Sequence, residues 1–222
     1  MLYLVATPIG DVNEMSLQAL DVLKKTEDLI VESTKESSRL LKHFGISCKK
    51  YHTLNEHTAP EDLPALVQLC HEKDVALLTD AGTPGFCDPG SELVRLCRKK
   101  NIAIRSILGP SSLMGILSLS GAYLREFYFR GFLPAETEAR QRALKDLSAE
   151  KKPIILMDTP YRLKKTIADL IQFFPQRHTL LAINLSQPSE VHLEGLPQDI
   201  QKELVYKNIE KAEFILVIYE KR

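Results

Sequence analysis

The sequence predicts an α/β protein with two α/β/α domains, and three observations lead to that prediction. Short, continuously apolar segments alternate with helix-like segments from the first residues onward. Loops rich in Gly and Pro follow several of the apolar segments. No flexible linker rich in Gly or Ser separates the two halves of the chain. Apolar strands that alternate with helices form mainly parallel sheets covered on both faces, so we expect two closely packed α/β layers.

In the first half, four apolar segments are typical of buried strands. Ser16 is a suitable N-cap for a helix with Leu17, Leu20 and Leu23 on one face. Gly45 suits the end of a second helix, and Pro60 suits the first turn of a third. The predicted strands are 2–6, 29–31, 75–78 and 102–107, and the later helices are about 35–44, 60–73 and 91–100.

The second half repeats this alternation after an aromatic, strand-like segment at 126–134. A charged helical stretch follows, then strands at 154–157, 180–184 and 214–219 and a helix at about 162–174. We therefore place the domain boundary near residue 118, which gives an N-terminal domain of 1–118 and a C-terminal domain of 119–222. A cleft between two such domains is the expected ligand site.

Composition narrows the class of protein. Hydrophobic residues make up 44% of the 222 residues and charged residues 26%, as in ordinary globular proteins. No segment approaches the roughly 18 apolar residues of a membrane span, and the start lacks the pattern of a signal peptide, so we expect a cytoplasmic protein without membrane partners. The four cysteines show no C-x-x-C spacing, which argues against a structural zinc site. Lys and Arg total 29, as do Asp and Glu, so RNA binding would need a local basic face.

Three Gly/Pro loops each follow a predicted strand, at the sheet edge where open α/β folds bind ligands. They are A-T-P-I-G-D at 6–11, T-D-A-G-T-P-G-F-C-D-P-G at 79–90 and L-G-P-S-S-L at 108–113. None matches the dinucleotide fingerprint or the phosphate-binding P-loop. Glycine lets a ligand approach the main chain and proline fixes its path, so these loops offer backbone groups to a ligand. Ordinary tight turns are the alternative for any one of them.

The sequence resembles the tetrapyrrole methylase superfamily and, within it, the ribosomal RNA small subunit methyltransferase I group. The central loop matches the family pattern D-A-G-T-P-G-x-x-D-P-G at every specified position. The matching segments are 6–11, 32–35, 80–90, 109–113, 131–134 and 157–162, so the resemblance covers nearly the whole chain.

The resemblance implies two α/β domains, a homodimer and S-adenosylmethionine as the cofactor, bound in the cleft between the domains. It also implies that the matching loops and strand ends contact the cofactor. The implied cofactor residues are Ile9, Gly10, Asp80, Gly82, Thr83, Pro84, Gly85, Phe86, Ser111, Ser112, Leu113, Met157, Ile183, Asn184 and Ala212.

Glu32 and Asp158 are the predicted catalytic residues. Methyl transfer from a sulfonium is an in-line displacement, and a ribose hydroxyl gains from a nearby carboxylate that orients it or accepts its proton. Both residues follow predicted strands. The alternative is that they cap helices or pair with Lys35 and Arg162. Asp80 suits a carboxylate that holds its loop by accepting backbone N–H bonds. Asp88 suits the N-terminus of the next helix.

The predicted substrate-binding residues are Lys35, Asn55, Glu56, Tyr161 and Arg162. Segment 51–57 suits a polar loop at the rim of the cleft, and metal binding by its two histidines is the less favoured alternative. Tyr161 suits stacking on a base and Arg162 suits a phosphate, although both also suit the start of an ordinary helix.

Three hypotheses about the acceptor follow. The first is the 2′-hydroxyl of a cytidine in small-subunit ribosomal RNA, with either the RNA or the small ribosomal subunit as the substrate. The second is a tetrapyrrole carbon, although such enzymes more usually carry G-G-D-P in the central loop. The third is a binding protein that senses S-adenosylmethionine without catalysis. The chain departs from the family pattern at 32–35, 158–161 and 183–186, on the side that resemblance assigns to the acceptor.

Overall fold

A computed structural model describes residues 1–88 and 90–220 of the chain. Pro89, which belongs to the central loop motif, and the last two residues lie outside the described part. The chain divides into two compact units, Met1–Ser111 and Ser112–Arg222, each with its own sheet. Among the helices of the described residues, none has the length and apolar character needed to cross a membrane.

Unit 1 contains a five-stranded, fully parallel sheet in the order β3-β2-β4-β1-β5. Its strands are β1 (Leu2–Val5), β2 (Asp28–Val31), β3 (Lys50–Thr53), β4 (Val75–Leu78) and β5 (Ile104–Ile107). Its helices are α1 (Leu17–Lys25), α2 (Thr34–His43), α3 (Leu63–Glu72) and α4 (Gly90–Lys99), with 3₁₀ turns at Val12–Glu14 and Pro60–Asp62. The Ser16 side chain accepts the Ala19 N–H and caps α1, as predicted.

Two hydrophobic cores cover the two faces of this sheet. Val31 and Leu78 pack on one face with Leu23 of α1. Ile30 and Leu77 pack on the other face with residues of α3 and α4. Successive residues of a strand point to opposite faces, so a strand covered on both sides must be apolar throughout. The continuous apolar segments of the sequence reflect this double coverage.

Unit 2 contains a mixed sheet in the order β6-β7-β10-β8-β9, in which β10 runs antiparallel to both of its neighbours. The strands are β6 (Tyr128–Phe132), β7 (Ile154–Asp158), β8 (Thr179–Ile183), β9 (Val191–Gly195) and β10 (Phe214–Ile218). The helices are α5 (Ser112–Leu119), α6 (Thr137–Ser148), α7 (Leu163–Phe173) and α8 (Pro197–Tyr206), with a 3₁₀ turn at Pro160–Arg162. Ile116 of α5 packs in the core of this sheet.

The α/β prediction is confirmed, and four details differ from it. Segment 51–57 was expected to be a polar loop, but it begins within β3, an edge strand whose residues stay partly exposed. Strand β9 and helix α8 were not predicted. Leu17 is 86% exposed, so the buried face of α1 consists of Ala19 and Leu23 instead. The second sheet is mixed rather than mainly parallel. The sequence did not reveal this, because a strand buried on both faces is equally apolar in either direction.

Candidate active site

The three Gly/Pro loops of unit 1 are joined at the carboxyl end of its sheet, where β4, β1 and β5 are neighbours. Thr7 and Gly82 exchange two backbone hydrogen bonds, of 2.9 Å and 3.1 Å. The Thr83 hydroxyl donates to the Pro110 carbonyl at 3.4 Å, which connects the second loop with the third. The loops therefore form one backbone-lined surface, as their positions in the sequence predicted.

Close approach between the first and third loops depends on glycine. A Cβ placed on Gly109 would lie 2.9 Å from the Cβ of Ala6, nearer than unstrained side chains approach. Glycine is therefore favoured at position 109 because a side chain would clash with the neighbouring loop, and not because the backbone conformation requires glycine.

The second loop has two glycines in the left-handed region, Gly82 at φ +85° and Gly85 at φ +82°. A Cβ on Gly85 would meet no described atom within 4 Å, so the backbone there borders open space. The Asp88 carboxylate accepts the Gly85 N–H at 2.8 Å and the Gly90 N–H at 2.8 Å. Asp88 thus links the loop to the first residue of α4, which agrees with its predicted place at a helix N-terminus.

Glu14 is a loop residue that sequence reasoning missed. One of its carboxylate oxygens accepts the Ile9 N–H at 2.7 Å and the Gly10 N–H at 3.3 Å. The amides of these two predicted cofactor residues are therefore already bonded, so their remaining groups for a ligand are carbonyl oxygens and the Ile9 side chain. A signal was available, because an acidic residue four or five positions after a Gly-containing turn can satisfy that turn's amides.

Glu32 and Asp80 connect the carboxyl ends of β2 and β4. Glu32 Oε2 accepts the Thr79 hydroxyl at 2.9 Å and the Asp80 N–H at 3.3 Å. Asp80 in turn accepts the Ser33 N–H at 3.2 Å, a bond to the neighbouring loop rather than to its own. Burial, and then the adjacent Glu32 charge, raise the pKa of the Asp80 carboxyl.

A polar groove of about 610 Å³ opens beside these carboxylates in unit 1. It brings together three residues predicted for catalysis or substrate binding, Glu32, Asn55 and Glu56. The groove is lined by Glu32, Asn55, Glu56, His57, Cys87, Asp88 and Ser91. The side-chain oxygen of Asn55 accepts the His57 N–H at 2.9 Å, which folds the 55–58 segment into a turn. Lys35, on the first turn of α2, is exposed and does not line this groove.

Asp158, at the end of β7, lies within a buried ion-pair network of unit 2. Its carboxylate accepts from Arg140 at 2.7 Å, from Arg162 at 3.2 Å and from the Thr166 hydroxyl at 3.2 Å. The Arg140 and Asp158 side chains are each 1% exposed. Arg140 also donates to Asp169 at 2.6 Å. The predicted pairing of Asp158 with Arg162 is present, and the buried partner Arg140 was not predicted.

The sequence does carry a signal for Arg140. In α6 the buried residues are Arg140, Leu144 and Leu147, which share one helical face at spacings of four and three. An arginine at the start of an apolar stripe is a charge directed toward the core. Such a charge needs a buried carboxylate, and the two acids of unit 2 that provide it come from β7 and α7.

The remaining predicted residues of unit 2 lie at or near the same end of its sheet. Ile183 ends β8, and the whole residue is buried, backbone included. Asn184 follows at φ +49° and donates from its side chain to Ser189 at 3.0 Å. Leu113 and Met157 are half-buried against the apolar core of the unit, Ala212 is buried, and Ser112 begins α5.

Tyr161 is 78% exposed in the 3₁₀ turn that follows β7. The Lys211 ammonium lies 3.6 Å from the centroid of its ring. By hydrogen bonding and by its charge, Lys211 lowers the pKa of the Tyr161 phenol.

A larger cavity of about 710 Å³ lies at the opposite end of the second sheet. Residues of its lining include Lys152, which precedes β7, and Tyr219, which follows β10. It contains none of the predicted site residues. The predicted site residues of unit 2 therefore lie at or near the carboxyl end of β7 and not in this cavity.

Comparison with solved structures shows the fold. Diphthine synthase is similar with a TM-score of 0.79 at 17% sequence identity, over 99% of this chain and 90% of that chain. The uroporphyrin-III-C-methyltransferase from Thermus thermophilus is similar with a TM-score of 0.65 at 19% identity, over 98% and 93% of the two chains. Both likenesses concern the architecture alone.

Comparison of sequences goes further. The chain is 38% identical over 223 residues to the ribosomal RNA small subunit methyltransferase I of Synechocystis, covering 98% of this chain and 78% of that one. It is 34% identical over 220 residues to the protein of the same name from Neisseria meningitidis serogroup B, covering 98% and 75%. Residues 1–201 match the profile of the Tetrapyrrole (Corrin/Porphyrin) Methylases. The chain therefore belongs to the tetrapyrrole methylase family, and it is an S-adenosylmethionine-dependent methyltransferase.

Proposed function

We propose that the protein methylates the 2′-hydroxyl of a cytidine in small-subunit ribosomal RNA. The observation that carries this proposal is the set of three joined loops at the carboxyl end of the first sheet. Their sequence follows the pattern of the ribosomal RNA branch, and the most similar relatives reported above carry that name over nearly the whole chain. The proposal includes a homodimer in the cytoplasm that acts on the small ribosomal subunit or its RNA.

The loop residues fit S-adenosylmethionine. The backbone at Gly85 borders open space, as a ligand that is recognised through the main chain requires, whereas Gly82 packs against the Ile9 side chain. Ile9 and Phe86 add apolar surface, and the Phe86 side chain is 44% exposed. When bound, the cofactor supplies an activated methyl group, so the protein has to position the acceptor and exclude water. In this proposal the loops of unit 1 hold the nucleoside part of the cofactor.

Glu32 is the side chain best placed to meet the acceptor. Its Oε2 atom is anchored by two hydrogen bonds, whereas Oε1 has no hydrogen-bond partner within residues 1–88 and 90–220. The carboxylate is therefore held in one orientation with one oxygen available to a ribose hydroxyl. Such an oxygen orients the hydroxyl and accepts its proton as the new C–O bond forms. Asn55 and Glu56 line the same groove and provide further hydrogen-bonding groups.

Asp158 has a different role in this proposal. Its carboxylate is surrounded by two guanidinium groups and a hydroxyl and is almost completely buried. A carboxylate whose oxygens are buried and already bonded to these donors does not reach a substrate. We assign Asp158 as a positioning residue for the turn that carries Tyr161 and Arg162.

A transfer assay with three acceptors tests the proposal. The protein is incubated with labelled S-adenosylmethionine and small ribosomal subunits that lack the modification, naked small-subunit RNA, or a tetrapyrrole substrate. We expect label on the ribosomal acceptor only. Transfer to the tetrapyrrole alone would contradict the proposed acceptor. A cofactor-induced thermal shift without any transfer would indicate a sensor, because a ligand that binds only the folded state raises its stability. Light scattering measures the mass of the protein, with and without the small ribosomal subunit, and so tests the homodimer.

A further inference from the structure

An exposed aromatic ring and an exposed lysine ammonium lie together at the end of β7. We call Tyr161 and Lys211 the stacking platform. The ring is 78% exposed, and the Lys211 ammonium lies 3.6 Å from its centroid. Both residues belong to unit 2, Tyr161 in the turn after β7 and Lys211 shortly before β10. Single exposed aromatic side chains are common on protein surfaces, so the cation held over this ring is what distinguishes the site.

The turn beneath Tyr161 is held rigidly. Pro160 restricts the backbone at its first position, and the Arg162 N–H donates to the Thr159 carbonyl at 2.9 Å. The Asp158 carboxylate accepts the Thr159 N–H at 2.9 Å and the Arg162 guanidinium at 3.2 Å. Asp158 is itself fixed by the buried ion pair with Arg140. The ring is thus presented by a pre-organised support, which lowers the entropy lost when a ligand stacks on it.

In the described part of the chain no carboxylate lies within 4 Å of the Lys211 ammonium, although Glu213 is near enough to interact with its charge, whereas neighbouring cations form direct ion pairs. Arg162 pairs with Asp158, and Lys164 pairs with Glu210 at 2.6 Å. The ammonium of Lys211 instead lies over the Tyr161 ring, where it is available to an anion. A cation beside an exposed aromatic face matches a nucleotide, which presents a phosphate and a planar base together.

We infer that the stacking platform binds an unpaired nucleotide of the RNA substrate, with the base on the face of the Tyr161 ring opposite Lys211 and the phosphate on the Lys211 ammonium. The inference rests on the proposed function and specifies its substrate as single-stranded at this point. Bases within a duplex are stacked on each other and cannot reach an isolated ring, whereas splayed bases of loops stack readily on aromatic side chains. Lys211 directly precedes Ala212, one of the residues proposed to contact the cofactor. The platform therefore holds the RNA beside the cofactor-binding end of unit 2.

Binding of short RNAs tests the platform separately from methyl transfer. Fluorescence anisotropy measures the Kd of the full-length protein for an unpaired oligonucleotide from small-subunit RNA and for the same strand in a duplex. The variants are Tyr161→Ala, Tyr161→Phe and Lys211→Gln. Lys145→Gln, an exposed lysine in the last turn of α6, is the charge-matched control. Thermal unfolding of each variant confirms that it is folded.

We expect the wild-type protein to prefer the single strand. Tyr161→Ala should weaken that binding about tenfold, while Tyr161→Phe retains it, because stacking needs the ring and not the hydroxyl. Lys211→Gln should make the slope of log K against log salt shallower by about 0.7, the contribution of one phosphate contact in a single strand. Lys145→Gln should change neither quantity.

Two results separate failure of the platform from failure of the proposed function. Unchanged single-strand affinity in Tyr161→Ala and Lys211→Gln, with methyl transfer to ribosomal RNA intact, would overturn the platform and leave the function standing. A wild-type protein that transfers no methyl group to RNA would overturn the function. In that case the oligonucleotide titrations still decide whether the two residues form a nucleotide-binding surface.

Discussion

Arg140 and Asp158 form an ion pair that is sealed from solvent, with 2.7 Å between Arg140 Nη1 and Asp158 Oδ2. The pair joins α6 to the carboxyl end of β7. It fixes the position from which the Pro160–Arg162 turn begins, and so it connects the core of unit 2 with the residues proposed to contact RNA. The same guanidinium also binds Asp169, so one arginine compensates two carboxylates.

Replacing Arg140 by Met should destabilise the protein by about 3–5 kcal/mol, because it leaves buried carboxylates without their partner. Chemical denaturation measures the free energy of unfolding. The control is Arg142→Met, whose exposed contact with Glu138 should contribute about 1 kcal/mol or less. Equal stabilities of the two variants would show that the buried pair does not hold β7 in place.

Replacing Gly109 by Ala should destabilise the protein by about 1–3 kcal/mol, because the new methyl group would lie 2.9 Å from the Ala6 Cβ. The affinity for S-adenosylmethionine should fall with it, since the first and third loops would separate. The double variant Ala6→Gly/Gly109→Ala removes the clash and should recover most of the affinity in calorimetric titrations. A single Gly109→Ala variant that binds the cofactor normally would contradict the close loop packing.

Replacing Asp80 by Asn should make the protein more stable at neutral pH. Burial, and then Glu32, raise the pKa of the folded-state Asp80 carboxyl above its ordinary value of 3.8. A raised pKa means that the folded state binds this proton more tightly, so stability falls as pH rises from 3.8 through the raised value. The amide oxygen of Asn can still accept the Ser33 N–H.

The expected gain for Asp80→Asn is below about 1 kcal/mol, because the carboxyl is only partly withdrawn from solvent and the water that still reaches it screens its charge. The gain should vanish in acid, where the wild-type carboxyl is neutral as well. Asp21→Asn, which loses an exposed pair with Lys25, should show no gain. Unfolding curves of both proteins, measured from acid to neutral pH, check this. An Asp80→Asn variant that is less stable than wild type at pH 7 would contradict the raised pKa of Asp80.

Replacing Glu32 by Gln should lower kcat by about 100-fold or more, since the variant lacks a charged oxygen to accept the acceptor's proton. The Kd for S-adenosylmethionine should remain close to wild type, because the anchored side of Glu32 faces Thr79 and Asp80. Glu36→Gln, one turn along α2 in an exposed contact with Arg39, is the matched control. Single-turnover rates of the two variants measure the difference. A normal rate in Glu32→Gln would remove Glu32 from catalysis.

The parts of the site that depend on local backbone chemistry were predictable from the sequence. Asp88 followed by Pro and Gly indicated a helix start, and its carboxylate does accept the Gly90 N–H. Ser16 indicated a cap and makes that bond. The apolar strands β2 and β4 were predicted because burial on both faces requires apolar residues throughout.

Contacts between residues distant in the chain were not predictable in the same way. Arg140 finds Asp158 and Asp169 only once α6, β7 and α7 have packed together. Lys211 meets Tyr161 because β10 inserts beside β7 and brings the residues before it to the end of that strand. Strand β3 carries only polar or half-buried residues, so its pairing with β2 left no apolar pattern in the sequence.

The chemical position of the transferred methyl group tests the central claim most directly. Small ribosomal subunits that lack the modification are treated with the protein and labelled S-adenosylmethionine, and their RNA is digested to nucleosides for mass spectrometry. We expect the label to appear in 2′-O-methylcytidine, with the methyl group on the ribose fragment. Label on a base fragment, or ribosomal RNA without label while a tetrapyrrole becomes methylated, would contradict it.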